Sequence, residues 1–83
     1  EVKELQVSGV FIAVGTIPNS ECFKGVVALN ESGYIIADET GVTNVPGIFA
    51  AGDIRTKELR QIITAAADGA NAVTSVEKYL LTI

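Results

Sequence analysis

A carboxylate that follows a glycine at the end of a short apolar run is the group in this chain best suited to chemistry. Pro46-Gly47 breaks any helix before the run 48–51, and Gly52 and Asp53 come directly after it. A four-residue apolar run of this kind predicts a buried parallel strand. Ligands collect at the carboxyl ends of such strands, where Asp53 can accept hydrogen bonds from sugar-type hydroxyls and Gly52 allows close approach to the backbone. The pattern predicts half of a nucleotide site, although Gly-Asp alone is also a common turn.

The second candidate group lies at the start of a predicted helix, where Arg60, Gln61 and Ile62 begin the last segment of the chain. Backbone N–H groups in a first helical turn have no intrahelical partner, and the helix dipole adds partial positive charge there. Such an end can donate hydrogen bonds to an electron-rich ligand. The alternative is an ordinary surface Arg-Gln pair.

The elements that must position these groups predict an α/β fold. Residues 7–14 and 48–51 are expected to be strands, and the apolar runs 26–29 and 33–37 flank a turn-rich stretch and predict a β-hairpin. A short helical turn is expected at 20–24. The result is a small mixed sheet with a hairpin, covered on one face by one long C-terminal helix.

The C-terminal helix is expected over about residues 60–80, because its apolar residues recur at three- and four-residue spacing. These positions are 62, 63, 66, 70, 73, 76 and 80. Many alanines make its face small, and Gly69 costs about 1 kcal/mol relative to alanine in a helix interior. We expect a close backbone approach at Gly69 to offset that cost.

Three motifs in this chain resemble segments of the thioredoxin reductase and alkyl hydroperoxide reductase group of flavoproteins. The most specific is Thr43-x-x-Pro46-Gly47-Ile48-Phe49-Ala50-Ala51-Gly52-Asp53. The others are Gly9-Val10-Phe11-Ile12-Ala13-Val14-Gly15-x-x-Pro18-Asn19 and Arg60-Gln61-Ile62-Ile63-Thr64-Ala65-Ala66. Together they span nearly the whole chain in the family's order. The resemblance implies that residues 1–83 are the C-terminal part of a three-layer, Rossmann-like FAD/NAD(P)-binding domain.

The resemblance also implies a cofactor and the residues that bind it. Asp53 would accept a hydrogen bond from a ribityl hydroxyl of FAD, with Gly52 beside it. Arg60, Gln61 and Ile62 would face the flavin ring, although Arg60 could reach a cofactor phosphate instead. Residues 15–19 would lie near the junction of the flavin and nicotinamide sites; the alternative is a simple strand-to-loop turn. No residue of this chain is predicted to be catalytic.

Several parts that such an enzyme needs are missing from these 83 residues. The sequence contains no Gly-x-Gly-x-x-Gly turn for FAD or NADPH, and one cysteine cannot form a Cys-x-x-Cys pair. The complete enzyme would pass electrons from NADPH through FAD to a disulfide, with a thioredoxin-like protein as one possible acceptor. We therefore expect a flavin-positioning segment that completes its site with the rest of a flavoprotein and has no turnover alone.

Composition excludes other classes of function. A net charge of −4 with scattered basic residues argues against nucleic acid, and no apolar run reaches the length of about 18 residues that a membrane span needs. With no histidine and one cysteine, no metal site is expected. Cys22 is expected to fill a small apolar gap, Lys57 and Glu58 to be exposed loop charges, and the protein to be cytoplasmic.

A hydrophobic content of 48% is high for so short a chain and predicts apolar surface that a partner covers. The partner is the remainder of the flavoprotein or a second copy of the chain. The competing hypothesis is thus a free-standing, non-catalytic interaction module, derived from such an enzyme, that self-associates into a homo-oligomer.

Overall fold

The structure is a computed structural model that describes residues 2–13 and 15–83. Its main element is an α-helix at Ile62–Leu80, preceded by one turn of 3₁₀ helix at Glu21–Phe23. The predicted helix and helical turn are therefore both present. Extended pairing is limited, among the described residues, to four isolated bridges: Lys24–Val27 and Ile35–Arg55 are parallel, and Leu29–Ile35 and Val42–Phe49 are antiparallel.

At the position of the predicted hairpin the chain reverses around a tight turn, and one isolated antiparallel bridge joins Leu29 to Ile35. Asn30 N–H donates to the Tyr34 carbonyl at 2.8 Å, and Ile36 N–H donates to the Ala28 carbonyl at 3.0 Å. The side chain of Asn30 accepts from the N–H groups of Ser32 and Tyr34, both at 3.0 Å. An asparagine that binds the backbone of its own turn is the local signal that places the reversal here.

Two strand predictions need correction. Residues 2–13 form no strand, and Val10, Phe11 and Ile12 are 75%, 100% and 88% exposed; Val14, the last predicted residue, lies outside the described residues. A strand needs neighbours to satisfy its backbone and cover its faces, and none lies beside this segment among the described residues. The run 48–51 pairs antiparallel, not parallel: Phe49 bridges Val42, and Ala50 N–H donates to the Gly41 carbonyl at 2.8 Å.

The core of the described residues is small and mixed in character. Its buried apolar side chains are Val27, Ile35, Ala37 and Ala50. Buried beside them are four polar residues: Ser20, Thr43, Arg55 and Asp68. The Thr43 hydroxyl donates to the Ile48 carbonyl at 2.7 Å, so it closes the Pro46-Gly47 turn that leads to Gly52 and Asp53.

The C-terminal helix packs through only part of the face that its apolar pattern predicts: Ala65 and Ala72 make close contacts, but the larger apolar residues do not. Ile62, Ile63, Val73 and Leu80 are 91%, 77%, 66% and 57% exposed, while the buried residue of the helix is Asp68. The helix packs through small residues and through Tyr79, whose ring meets Phe49 edge-to-face at 6.1 Å. The apolar stripe therefore remains uncovered by the described part of the chain.

The close approach occurs at Gly41 rather than at Gly69. A Cβ added at Gly41 would lie 2.8 Å from the Ala50 carbonyl oxygen and 3.4 Å from the Ala72 Cβ, whereas one at Gly69 would have no described atom within 4 Å apart from its chain neighbours and the nearby backbone of its own helix. Gly41 also has a φ of +77°, which favours glycine. The helix approaches the 41–50 region through Ala72.

These two glycines give a matched pair of substitutions. Gly41→Ala should destabilise the protein by more than about 1 kcal/mol, because it meets both a positive φ and a backbone oxygen. Gly69→Ala should instead stabilise it by up to about 1 kcal/mol, as for any open helix-interior glycine. Urea unfolding of the two variants measures this, and destabilisation of equal size in both would contradict the packing described.

No helix among residues 2–13 and 15–83 is both long and apolar enough to cross a membrane.

Candidate functional site

A cleft of about 400 Å³ brings together three of the sequence-predicted regions. Its lining residues are Thr16, Ile17, Pro18, Asn19, Tyr34, Asp53, Ile54 and Arg60. The loop 15–19, the carboxylate after the glycine and the arginine before the helix therefore share one surface. Clefts of this size that combine apolar walls with a few polar groups are typical of ligand sites.

Asp53 lies at this cleft with an exposed side chain. Within the described residues its carboxylate accepts no hydrogen bond and forms no ion pair; only its backbone carbonyl is used, by Arg60 Nε at 3.0 Å. Gly52, immediately before it, has a φ of +87°. A glycine in this conformation turns the chain so that the next side chain leaves the packed interior.

Arg60 forms one wall of the cleft. Its guanidinium carbon lies 3.8 Å from the centroid of the Tyr34 ring, a cation–π contact. The Tyr34 hydroxyl is in turn 2.9 Å from the Thr16 hydroxyl. Tyr34, for which the sequence predicted no role beyond the hairpin, thus links loop 15–19 to Arg60.

The guanidinium of Arg60 is largely occupied by the polypeptide itself. Its Nε, Nη1 and Nη2 donate to the carbonyls of Asp53, Lys57 and Arg55, at 3.0, 3.1 and 3.1 Å. These three carbonyls belong to the segment 52–60, which we call the Asp53 loop. Arg60 therefore clamps the Asp53 loop, and this geometry leaves it less available for a cofactor phosphate.

The helix start lies beside the cleft rather than in its lining. Gln61 is the N-cap, and its N–H donates to the Thr64 hydroxyl at 2.9 Å. Ile62 follows as the first helical residue with an exposed side chain. Neither Gln61 nor Ile62 lines the cleft, so the structure brings Asp53 and Arg60 together and leaves these two residues at its margin.

Beneath the Asp53 loop, the carboxylate of Asp68 is buried and accepts four hydrogen bonds. Its Oδ2 accepts from Gly52 N–H at 2.9 Å, from Arg55 Nε at 2.8 Å and from Lys57 Nζ at 2.8 Å. Its Oδ1 accepts from Arg55 Nη2 at 2.8 Å. Two oxygens and a forked guanidinium make this a bidentate pair, which is the strong form of such contacts.

In this network the carboxylate of Asp68 faces two cations, Arg55 and Lys57. The hydrogen bonds from Arg55, with further ones from Lys57 and the Gly52 N–H, hold the pKa of Asp68 well below its usual range although burial opposes the charge. The Asp68 hydrogen bond likewise raises the pKa of Arg55 above its ordinary value. Arg55 also reaches Glu39 at 2.9 Å, but Glu39 is 79% exposed and contributes little.

Lys57 belongs to this network, which the sequence did not predict. Its side chain is only 5% exposed and pairs with Asp68, so the prediction of an exposed loop charge was wrong. The available signal was the position of Asp68: a charged residue within the alanine- and glycine-rich stretch 65–70 of the helix. A carboxylate on a small-residue face is buried when a cation can reach it.

The prediction for Cys22 was also wrong, because Cys22 is exposed rather than filling an apolar gap.

Known proteins match this chain along most of its length. The chain matches the family described as pyridine nucleotide-disulphide oxidoreductase over residues 1–69. It is 57% identical over 72 residues to a thioredoxin reductase of Peptoclostridium acidaminophilum, a match that covers 87% of this chain and 23% of that protein. It is 43% identical over 81 residues to a polypeptide of the alkyl hydroperoxide reductase of Pseudomonas aeruginosa, covering 98% of this chain and 16% of that one.

Solved structures agree. Lactococcus lactis thioredoxin reductase superposes with a TM-score of 0.82 and 44% identity over 90% of this chain and 25% of its own. The thioredoxin reductase of Streptococcus pyogenes superposes with a TM-score of 0.82 and 47% identity, covering 90% of this chain and 24% of its own. The fold is thus that of one part of the FAD/NAD(P)-binding fold of these enzymes, and the resemblance predicted from the Gly-Asp motif is confirmed. The chain spans about a quarter of the length of the thioredoxin reductases it matches.

The Asp68 network predicts a pH dependence of stability. The folded-state pKa of Asp68 lies below that of the unfolded chain, which is about 4. The contribution of the Asp68 carboxylate to the free energy of unfolding is therefore fully present above its pKa in the unfolded chain. It is lost as pH falls through its pKa in the folded protein. Urea midpoints between pH 2 and 7 should fall in acid for the wild type. In Asp68→Asn they should be lower at neutral pH and fall less in acid, and an unchanged slope would contradict the assignment.

Proposed function

This chain belongs to the pyridine nucleotide-disulphide oxidoreductase family, and we propose that it positions the flavin of a thioredoxin reductase-like enzyme. The observation that supports this most directly is Asp53: an exposed carboxylate at a cleft, without a partner among the described residues. An acceptor held in this way, on a loop fixed from both sides, suits a ligand with hydroxyl groups. The ribityl chain of FAD is such a ligand.

The residues around the cleft fit the cofactor in chemical type. Asp53 would accept a hydrogen bond from a ribityl hydroxyl, and Gly52 would keep the backbone turned so that this carboxylate faces the cofactor. Thr16 and Tyr34 offer further hydroxyl groups in the same cleft. FAD, when bound, would supply the two-electron chemistry that links NADPH oxidation to reduction of a disulfide.

The helix start would act through its dipole. Ile62 and its neighbours precede the first intrahelical bond, which Ala65 N–H donates to the Gln61 carbonyl at 3.0 Å. The N–H groups of this turn carry partial positive charge and would stabilise negative charge on a reduced flavin ring. In this proposal Arg60 shapes the cleft wall and Ile62 contributes a backbone donor at its margin, while the N–H of Gln61 already donates to the Thr64 hydroxyl.

The whole protein's activity extends the proposal beyond this chain. In the complete enzyme, NADPH would bind in another domain, and a thioredoxin-like protein would be one possible electron acceptor in the cytoplasm. No residue of the chain is proposed as catalytic. Alone, the 83 residues would position a cofactor without turnover.

Asp53→Ala in the complete polypeptide should weaken FAD binding by about 10- to 150-fold, which corresponds to losing one charge-assisted hydrogen bond of about 1.5–3 kcal/mol. Flavin fluorescence titration of the apoprotein measures the dissociation constant. Glu77→Gln, which removes an exposed carboxylate from the outer side of the helix, is the matched control and should leave it unchanged. Equal affinities for Asp53→Ala and wild type would contradict the proposal.

The exposed apolar surface indicates that a partner covers it, and this supports a second candidate function, that of an interaction module. Phe11, Ile12, Ile62 and Ile63 are each at least 77% exposed in the chain by itself. We propose that the rest of the flavoprotein covers them, since the matched relatives are about four times longer. The alternative is a non-catalytic module whose apolar surface pairs with another copy.

Sedimentation of the isolated 83 residues, with and without the remaining domains supplied in trans, separates the two functions. The flavin-positioning function predicts a heterologous complex that recovers FAD binding, because the apolar surface and the half-site are then both completed. A discrete homo-oligomer that ignores both the added domains and FAD would instead support the interaction module.

A further inference from the structure

We infer that Asp68 is a positioning residue for the flavin-binding cleft, acting through the Asp53 loop although it does not line the cleft. This inference rests on the proposed function of Asp53. It concerns how the chain holds that carboxylate in place, and it assigns a role to a buried acid, Asp68, and to Lys57.

The contacts form a direct path from Asp68 to Asp53. The Asp68 carboxylate accepts a hydrogen bond of 2.9 Å from the N–H of Gly52, the residue that precedes Asp53. It also binds Arg55 and Lys57, two and four residues beyond Asp53. One carboxylate on the helix thus holds the loop on both sides of Asp53.

The Asp53 loop is also held by Arg60. This side chain donates to the carbonyls of Asp53, Arg55 and Lys57, so Arg55 and Lys57 are fixed through their backbone as well as through their side chains. Because the cationic side chains of the loop are directed to Asp68 or to the loop's own carbonyls, the carboxylate of Asp53 is left to face the cleft. Fixed loops of this kind place a binding group with little entropy loss on binding.

The negative charge of Asp68 is required to hold the Asp53 loop in place, because two cations of that loop bind to it. Arg55 and Lys57 are 2% and 5% exposed at their side chains, so an uncharged residue at 68 would leave both buried without this counter-ion. The loop would then have to move to hydrate them. Movement of the loop displaces Asp53, whereas the described cleft walls at loop 15–19 and Tyr34 make no hydrogen bond to Asp68.

The test is a double-substitution cycle in the complete flavoprotein, read as the FAD dissociation constant of the apoprotein. Asp68→Asn should weaken FAD binding by about tenfold in the wild-type background and by less than about twofold when Asp53 is already alanine. A general loss of structure would weaken both backgrounds equally. Glu39→Gln, which removes the exposed partner of Arg55, is the control and should change the constant by less than about twofold.

The outcomes separate this inference from the function on which it rests. If Asp53→Ala leaves FAD affinity unchanged, the proposed cofactor site fails and the positioning role fails with it. If Asp53→Ala weakens binding but Asp68→Asn has no effect, or the same effect in both backgrounds, the function stands and the positioning role is overturned.

A milder variant covers the case in which Asp68→Asn does not fold. Lys57→Gln removes one of the two cations on Asp68 and leaves the bidentate Arg55 pair intact. It should weaken FAD binding by about two- to threefold in the wild-type background and have no effect beside Asp53→Ala. The same loss in both backgrounds would overturn the inference.

Discussion

One buried carboxylate, that of Asp68, joins the two parts of the molecule that carry the candidate site. Asp68 is 3% exposed and makes four hydrogen bonds, two of them from the guanidinium of Arg55. Through these bonds it ties the helix to the Asp53 loop. Removing one member of such a buried pair typically costs about 3–5 kcal/mol, because the other charge loses its partner. The loop and the helix are therefore fixed together.

The consequence for function is that structural and binding carboxylates are separated by environment. Asp68 is buried, and its carboxylate accepts a hydrogen bond from the N–H of Gly52. Asp53, the next residue after Gly52, is exposed at the cleft. The positive φ of Gly52 makes this possible, since it turns the backbone between an inward N–H and an outward side chain. The Gly52-Asp53 pair at the end of the apolar run therefore also sets the direction of the backbone and of the Asp53 side chain.

Local elements could be predicted from the sequence better than their packing. Helical periodicity indicated the C-terminal helix, and Asn30 with Gly33 indicated the hairpin turn, because both signals are local. The sheet was beyond prediction from these residues: a strand over 7–14 needs neighbours, and this chain spans about a quarter of its relatives. The predicted packing face of the helix was right only in part: its small residues Ala65 and Ala72 do pack, but the larger apolar residues of the predicted stripe are left exposed.

The candidate site followed a similar pattern. Asp53, Arg60 and loop 15–19 were named from the sequence and meet at one cleft, since each ends or begins an element. Tyr34 and Asp68 were missed, because their roles depend on partners distant in sequence: Thr16 is 18 residues from Tyr34, and Arg55 is 13 from Asp68. Periodicity and turn chemistry carry no information about such pairs.

Whether this chain presents Asp53 to a flavin is tested most directly by a crystal structure of the complete protein with FAD bound. We expect the ribityl chain in the cleft between Tyr34 and Asp53, with the Asp53 carboxylate about 2.5–3.0 Å from a hydroxyl oxygen of the cofactor. FAD bound elsewhere, with Asp53 facing solvent, would contradict the proposed function.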